Sequence, residues 1–235
     1  MILWVALFLI IIGLSLVLAL RSMRDYQEIP QKSKLEYGIF LIRKLQNFNG
    51  GILEALGKII FEESLVVGIE RLFKGRESAL TIFGPKIILQ QFANDLDLLE
   101  LEDYTRNFDK NNFLVWEMGV KHNKVNLQSF NIFDSLPKLE PQEQLFWQMI
   151  LGPNKSKHDL TFQTQIRAGI YAQDDRRRKE LALSLQSLRP DDLVKIPKPF
   201  SNEQMIEFYR QRILERDSKG PVVGFRQVLS ILGIN

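Results

Sequence analysis

The chain has 235 residues, a formal net charge of +3, no cysteine and two histidines. The lack of cysteine excludes disulfides, thiolate metal sites and cysteine nucleophiles, and it agrees with a reducing compartment. So small a charge does not by itself indicate a nucleic-acid partner, because nucleic-acid-binding surfaces concentrate basic residues.

The first predicted element is a helix over Met1–Leu20, which contains no charged side chain. About 20 residues rising about 1.5 Å each cover roughly 30 Å, the thickness of the hydrocarbon core of a bilayer. A cleaved secretory signal is the alternative interpretation, but no basic side chain precedes the run and Val17–Leu20 is a poor cleavage site. The sequence therefore predicts a retained transmembrane helix.

The residues around this helix predict its orientation. Trp4 stands near one end, and Arg21 and Arg24 follow the other end directly. Short flanks that carry Arg and Lys stay in the cytoplasm. We therefore expect a single-pass protein of the cytoplasmic membrane, with the N-terminus outside and the C-terminal domain cytoplasmic. Residues 21–34 are polar and predict a short linker.

Residues 35–122 show strand and helix patterns in alternation. The predicted strands are Leu35–Arg43, Ser64–Leu72, Glu77–Phe83 and Leu98–Tyr104, with helices over Ile52–Ile60 and after Pro85. This order predicts a ferredoxin-like split βαβ module, an antiparallel sheet with two helices on one face. Asn112–Val120 predicts one more strand at an edge of that sheet.

The polar passage 123–142 is predicted to connect this module to a second α+β module at 143–235. Strands are expected at Leu145–Leu151, Leu160–Ala172 and Leu193–Ile196. Helices are expected from Asp174 or Asp175 to about Leu188, from Ser201 onward with Gln204 completing a capping box, and over Val222–Ile234. The predicted fold class is α+β, with an N-terminal transmembrane helix, two modules and C-terminal helices.

Four segments that follow the predicted anchor carry a resemblance to a known group of proteins. They are Glu70–Gly75 (ERLFKG), Ile82–Lys86 (IFGPK), Leu101–Thr105 (LEDYT) and Gln144–Gln148 (QLFWQ). In this arrangement the chain resembles bacterial membrane-anchored proteins found beside ATPases of the conjugation or type IV secretion type. The resemblance implies a non-enzymatic subunit of a membrane secretion or translocation assembly, and it assigns no functional residue.

The motifs that could carry chemistry have simpler interpretations. Gly84-Pro85-Lys86 lacks the second glycine of a phosphate-binding loop, and His122 and His158 match no zinc pattern. An acidic run is interpreted as the solvated side of an amphipathic strand. It comprises Asp95, Asp97, Glu100, Glu102 and Asp103. We therefore predict no catalytic residue, no metal ligand and no cofactor.

The run Arg176-Arg177-Arg178-Lys179 is the most concentrated basic feature. Successive helical residues point about 100° apart, so these side chains fan around the axis, as expected of a solvated helix start. The functional alternative is contact with an anionic surface such as lipid headgroups. Nucleic acid is not favoured, because aromatic residues are not interleaved with the basic ones.

The predicted edge strand offers a docking mechanism. Unpaired strand amides can extend a sheet into a neighbouring protein. On the strand at 112–120, the candidate docking residues are Leu114, Trp116, Met118 and Val120.

Three functional hypotheses follow. The first is a non-catalytic membrane-anchored subunit whose modules dock protein partners, among them a secretion-type ATPase or further copies of the chain. The second is a membrane-tethered enzyme of unknown reaction, and the third is a peripheral reader of lipid or nucleic acid through Arg176–Lys179. The bilayer itself is the expected partner of residues 1–20.

Overall fold

The structure is a computed structural model that describes residues 15, 35–120, 136–154, 161–187, 193–197, 200–214 and 220–234. The predicted anchor and linker therefore lie outside the described residues, apart from Ser15. Within the described part of the chain, no helix is long and apolar enough to cross a bilayer.

The first half of the described chain contains four strands with helices between them. The elements are β1 (Tyr37–Ile42), α1 (Gly50–Glu63), β2 (Val67–Lys74), β3 (Glu77–Pro85), α2 (Lys86–Leu89), α3 (Ala93–Leu96) and β4 (Leu98–Leu101). The Asn49 side chain starts α1 by accepting hydrogen bonds from the amides of Gly51 and Ile52. Gly75, with φ 57°, forms the turn between β2 and β3.

The second half begins with three strands, and its helices follow later. The elements are β5 (Phe113–Val120), β6 (Gln144–Pro153), β7 (Thr161–Tyr171), α4 (Asp175–Ser187), β8 (Leu193–Lys195), α5 (Asn202–Gln211), β9 (Val222–Gly224) and α6 (Phe225–Ile231). The predicted capping box of Ser201 and Gln204 is confirmed at the start of α5. The single helix predicted over Val222–Ile234 is wrong at its start, because β9 pairs there with β7.

The nine strands among the described residues form one antiparallel sheet, so the α+β class is confirmed. The order is β4-β1-β3-β2-β6-β7-β5-β8, and β9 pairs with part of β7. Strands β2 and β6 pair along Val67–Lys74 and Gln144–Leu151, a junction that we call the seam. The strands that precede residues 123–142 and those that follow them therefore belong to one sheet, although two separate modules were expected. The prediction that β5 is an edge strand of the first module is wrong, because β5 pairs with β7 and β8 of the second half.

The two halves have the same strand order when each is followed outward from the seam. The first half runs β2, β3, β1, β4, and the second runs β6, β7, β5, β8. Since β2 and β6 are antiparallel, a pseudo-two-fold axis through the seam relates the two sets of four strands. The sequence does not show this equivalence as a repeat.

Helices cover the two faces of the sheet unequally. Helices α1, α4 and α6 pack on one face and bury the main apolar core, which includes Leu53, Leu181 and Val228. On the opposite face, α5 packs over β5 and β6, where Met205 and Ile206 contribute to a smaller cluster. This second face also carries polar and charged side chains that are fully buried.

Candidate functional site

A row of buried polar side chains crosses five strands on the sheet face beneath α5. In strand order the row is Thr81, Glu70, Gln148, Arg167 and Glu117, each directly opposite the next. All five are at most 2% exposed. Side chains on a strand alternate between the two faces, so each of these residues points away from the main core while its neighbours in the chain point into it.

Glu70 is the centre of hydrogen bonding in this polar row. Its carboxylate accepts hydrogen bonds from Arg212 Nε at 2.6 Å, Tyr209 Oη at 3.1 Å and Gln148 Nε2 at 3.3 Å, and also from the Tyr104 hydroxyl. The Glu70 and Arg212 side chains are each only 1% exposed. A buried charge is tolerated when it is paired and hydrogen-bonded in this way.

Arg212 reaches the polar row because it ends α5 in the left-handed conformation, with φ 54°. Its Nη1 donates to Asp103 Oδ2 at 3.2 Å and to the carbonyl of Arg210 at 2.7 Å. The guanidinium also lies over the ring of Phe83, 5.1 Å from the centroid. This residue therefore ties α5 of the second half to β2 and to the segment after β4 of the first half.

Arg167 ties α5 to the strands of the second half itself. Its Nη1 donates to Gln148 Oε1 at 3.0 Å, and its Nη2 donates to the carbonyl of Ile213 at 2.7 Å. Gln148 in turn donates to the carbonyl of Tyr209 at 2.8 Å. The row thus satisfies carbonyl groups at the C-terminal end of α5, which a helix leaves without intrahelical partners.

The protonation equilibria reflect this environment. Burial raises the pKa of Tyr104 and Tyr209 well above 10, and the charge of Glu70 raises each further. For Asp103, burial raises the pKa, but the charge of Arg212 and the hydrogen bonds of Thr105 outweigh it and the net pKa is lowered. Asp103 is therefore held in its charged form, and the phenols of Tyr104 and Tyr209 are held in their neutral forms.

The polar row and Arg212 are suited to holding the two halves of the sheet together and not to catalysis. A general acid or base must come within hydrogen-bond reach of a substrate, whereas the Glu70 carboxylate is buried and already has four donors. Across the described ranges, no group of three or more His, Asp or Glu side chains is placed to hold a metal ion. We assign the polar row and Arg212 to positioning and stability.

The inner members of the predicted basic run are occupied by protein contacts. Arg177 bonds Glu143 Oε1 at 2.8 Å through Nε and the Lys138 carbonyl at 2.9 Å through Nη2. Arg178 is 8% exposed and donates to the Ala172 carbonyl at 2.6 Å. These two residues anchor α4 and do not belong to an open basic surface.

The outer members of the run are exposed but paired. Arg176 contacts Glu180 at 3.1 Å, and Lys179 contacts Asp175 at 2.6 Å, each one helical turn away. Their side chains are 89% and 68% exposed. Contact with an anionic surface stays a prediction for these two side chains, and their carboxylate partners weaken the local positive potential.

The predicted docking strand does not have a free edge. Strand β5 pairs with β7 on one side, and on the other Met118–Val120 pair with β8. Nearer its start, Asn202 Oδ1 accepts from the Val115 amide at 3.0 Å and Asn202 Nδ2 donates to the Phe113 carbonyl at 2.7 Å. An asparagine side chain thus takes the place of a neighbouring strand.

The side chains of the docking prediction are also largely enclosed. Trp116 and Met118 are 3% and 1% exposed and belong to the main core, and Leu114 packs against that core. For Val120 the structure gives only the backbone, which pairs with that of Leu193 in β8. The predicted strand addition at Leu114–Val120 is therefore wrong, because both sides of the strand are occupied.

The acidic run lies at the other end of the sheet, on and around β4. Glu100 and Glu102 are exposed, as the interpretation of a solvated strand expects, although β4 ends at Leu101. Lys86 Nζ joins Glu36 at 2.5 Å and Glu100 at 2.6 Å. A cleft of about 510 Å³ opens beside these residues, between the start of β1 and the segment that follows β4.

Sequence reasoning missed Glu70, Gln148, Arg167 and Arg212. The available signal was a charged or amide residue within a strand that is otherwise apolar, as in Val67–Leu72. Strand alternation separates Glu70, Gln148 and Arg167 from the main core, but it gives no sign that α5 covers their face. Neither a comparison with protein-family models nor a search of curated proteins finds a match to this sequence.

Proposed function

We propose that the chain is a non-catalytic, single-pass subunit of the cytoplasmic membrane whose folded part docks protein partners in a secretion or translocation assembly. The anchor is the uncharged segment Met1–Leu20, and the basic residues Arg21 and Arg24 keep the folded part in the cytoplasm. The resemblance to membrane-anchored proteins found beside secretion-type ATPases supports the same assignment.

We further propose that each half is a variant of the ferredoxin-like split βαβ plan. In the first half, the order β4-β1-β3-β2 with antiparallel neighbours supports this proposal. Helix α1 connects β1 to β2, and α2 and α3 connect β3 to β4, as the plan requires. The equivalent order in the second half supports a tandem of two such modules.

The observation that carries the docking function is the buried polar row. It fixes the two halves as one continuous sheet and commits the carboxylates and guanidiniums at the seam to internal pairing. A rigid scaffold of this kind presents fixed surfaces to partners at little conformational cost. Hydrolysis of ATP, where the assembly uses it, belongs to a partner.

The anchor and its orientation can be tested directly. Since the chain has no cysteine, a Ser78→Cys substitution in the exposed β2–β3 hairpin introduces a unique thiol. We expect carbonate-resistant membrane association of the full chain, and labelling of this thiol by an impermeant maleimide only after the inner membrane is opened. Extraction by carbonate, or labelling in intact spheroplasts, would contradict the proposal.

The docking role requires a separate experiment. Purification of the full chain in mild detergent should give a complex of fixed stoichiometry, with ATP hydrolysis confined to a partner subunit. A variant with Lys at position 70 (Glu70→Lys), which disrupts the polar row, should lose the complex while remaining in the membrane. A purified monomer with enzymatic turnover of its own would refute the proposal.

A further inference from the structure

Strand β4 is the margin of the sheet in the first half. Among the described residues it has one neighbouring strand, β1, which pairs with it along Ile39–Ile42. The Lys86 amide donates to the Glu36 carbonyl on the β3 side of β1, so the even-numbered residues of β1 direct their backbone groups toward β3. The odd-numbered residues Ile39 and Leu41 therefore bond β4.

This register fixes which backbone groups of β4 point outward. Ile39 is opposite Leu101 and Leu41 is opposite Leu99, so Leu99 and Leu101 bond β1. The amide and carbonyl groups of Leu98 and Glu100 then face away from the sheet. They form a short template onto which an extended segment can be added.

At the opposite margin of the sheet, the backbone groups of β5 that β8 leaves uncovered are already bonded. Under the pseudo-two-fold axis, β5 corresponds to β1 and β8 corresponds to β4. Where β8 ends, Asn202 of the same chain occupies the backbone groups of Phe113 and Val115. We therefore place the docking edge at β4 and not at β5.

The side chains of β4 define what this edge accepts. Leu99 is 47% exposed and shares a face with Leu101, whereas Glu100 lies on the other face and the exposed Glu102 follows the end of the strand. Lys86 Nζ lies 2.5 Å from Glu36 and 2.6 Å from Glu100, so one cation is shared by two carboxylates, and the exposed Glu102 adds a further negative charge beside the strand. The edge is thus complementary to a segment that is basic and apolar at alternate positions.

We propose that β4 binds an extended segment of a partner protein in which Lys or Arg residues alternate with apolar residues. The partner backbone bonds the outward groups of Leu98 and Glu100. Its basic side chains lie beside Glu100 and Glu102, and its apolar side chains cover Leu99. This inference rests on the proposed docking function and specifies its surface.

The test uses the full chain in nanodiscs of neutral phosphatidylcholine. The probe is a fluorescent, acetylated and amidated Lys-Val-Lys-Val-Lys-Val peptide, and the matched probe replaces each Lys by Glu. We expect saturable binding of the basic peptide alone, measured by anisotropy. Hydrogen exchange should slow at the amides of Leu98 and Glu100, whereas those of Leu99 and Leu101 are already bonded to β1.

Charge reversal provides the matched comparison. The Glu102→Lys variant should weaken binding at least tenfold, and Glu62→Lys, an equal charge change on the exposed side of α1, should leave it unchanged. Binding that is absent, equal for both peptides or insensitive to Glu102→Lys overturns the proposal, and so does protection of the same amides by a second copy of the chain. Membrane retention and complex stoichiometry are measured in separate experiments. A negative result with the peptides therefore overturns the role of β4, whereas a missing complex overturns the docking function.

Discussion

Arg212 and Glu70 are 142 positions apart in sequence, and Arg212 Nε donates to Glu70 Oε1 at 2.6 Å in a fully buried contact. Arg212 ends α5 of the second half, and Glu70 lies on β2 of the first. The pair therefore joins the halves across the seam, in addition to the backbone pairing of β2 with β6.

Substitution of Arg212 by Ala should destabilise the protein severely. It leaves the Glu70 carboxylate buried beside an empty site, and breaking one member of a buried ion pair costs about 3–5 kcal/mol. Urea denaturation of the variant measures this loss. The double variant Glu70→Gln, Arg212→Met should recover part of the stability, because neither side chain is then charged. A double variant no more stable than Arg212→Ala would contradict the assignment.

The stability of the protein should fall in acid partly through Asp103. Its pKa is lowered in the folded protein, so the unfolded chain takes up the proton first, near pH 4. The contribution of Asp103 is therefore present above about pH 5 and is lost as the pH falls through its folded pKa. Other carboxyls with lowered pKa values, such as Glu143, titrate in the same range. The comparison is thus between the native chain and Asp103→Asn, whose stability should depend less steeply on pH between about 5 and 3.

Asn202 should be required to close the outer side of β5. Replacement by Ala removes two hydrogen bonds, to the Val115 amide and the Phe113 carbonyl, each with a net worth of about 1 kcal/mol. We expect a lower urea midpoint and faster hydrogen exchange at the amide of Val115. The Asn202→Asp variant retains the acceptor for Val115 and should keep this amide protected. Equal exchange in both variants would show that the side chain does not shield the strand.

Gly169 is expected to tolerate no side chain. A Cβ at this position of β7 would lie 2.8 Å from Cε2 and 2.9 Å from Cζ of Phe113, whose ring packs against Phe146 with 5.3 Å between centroids. Because this aromatic cluster is closely packed, Gly169→Ala should cost about 1–3 kcal/mol by overpacking.

The control for this change is Gly224→Ala. Nothing lies within 4 Å of a Cβ at Gly224, and its φ of −86° suits any residue. Thermal denaturation should show a lowered midpoint for the Gly169 variant alone. A similar loss at both positions would indicate that helix and strand propensities, and not contact with Phe113, determine the cost.

Local patterns in the sequence predicted much of the secondary structure. The β2–β3 hairpin is found with its turn at Gly75, and α5 starts with the predicted capping box, because turn chemistry and caps depend on residues only a few positions apart. The α+β class followed from the same short-range signals. The strand predicted over Leu98–Tyr104 stops at Leu101, because Asp103 starts a 3-10 turn by accepting from the Thr105 amide.

Long-range pairing decided the rest. Period-two alternation correctly separates the two faces of β2 and β7, but it cannot say that both faces are covered. Glu70 and Arg167 are buried because α5 lies above them, and α5 is distant from both of them in sequence. The partner of β5 and the continuity of the sheet through the seam depend on contacts between distant segments, and no local signal specifies these.

The sequence by itself determined the uncharged segment Met1–Leu20, the basic flank beyond it and the alternation of apolar residues that forms the sheet. Only the tertiary structure decided that the two halves share one sheet and that their charges meet in its interior. The physical reason is that hydrophobic periodicity is encoded within a few neighbouring residues, whereas the pairing of Glu70 with Arg212 exists only after 142 positions of chain have folded back.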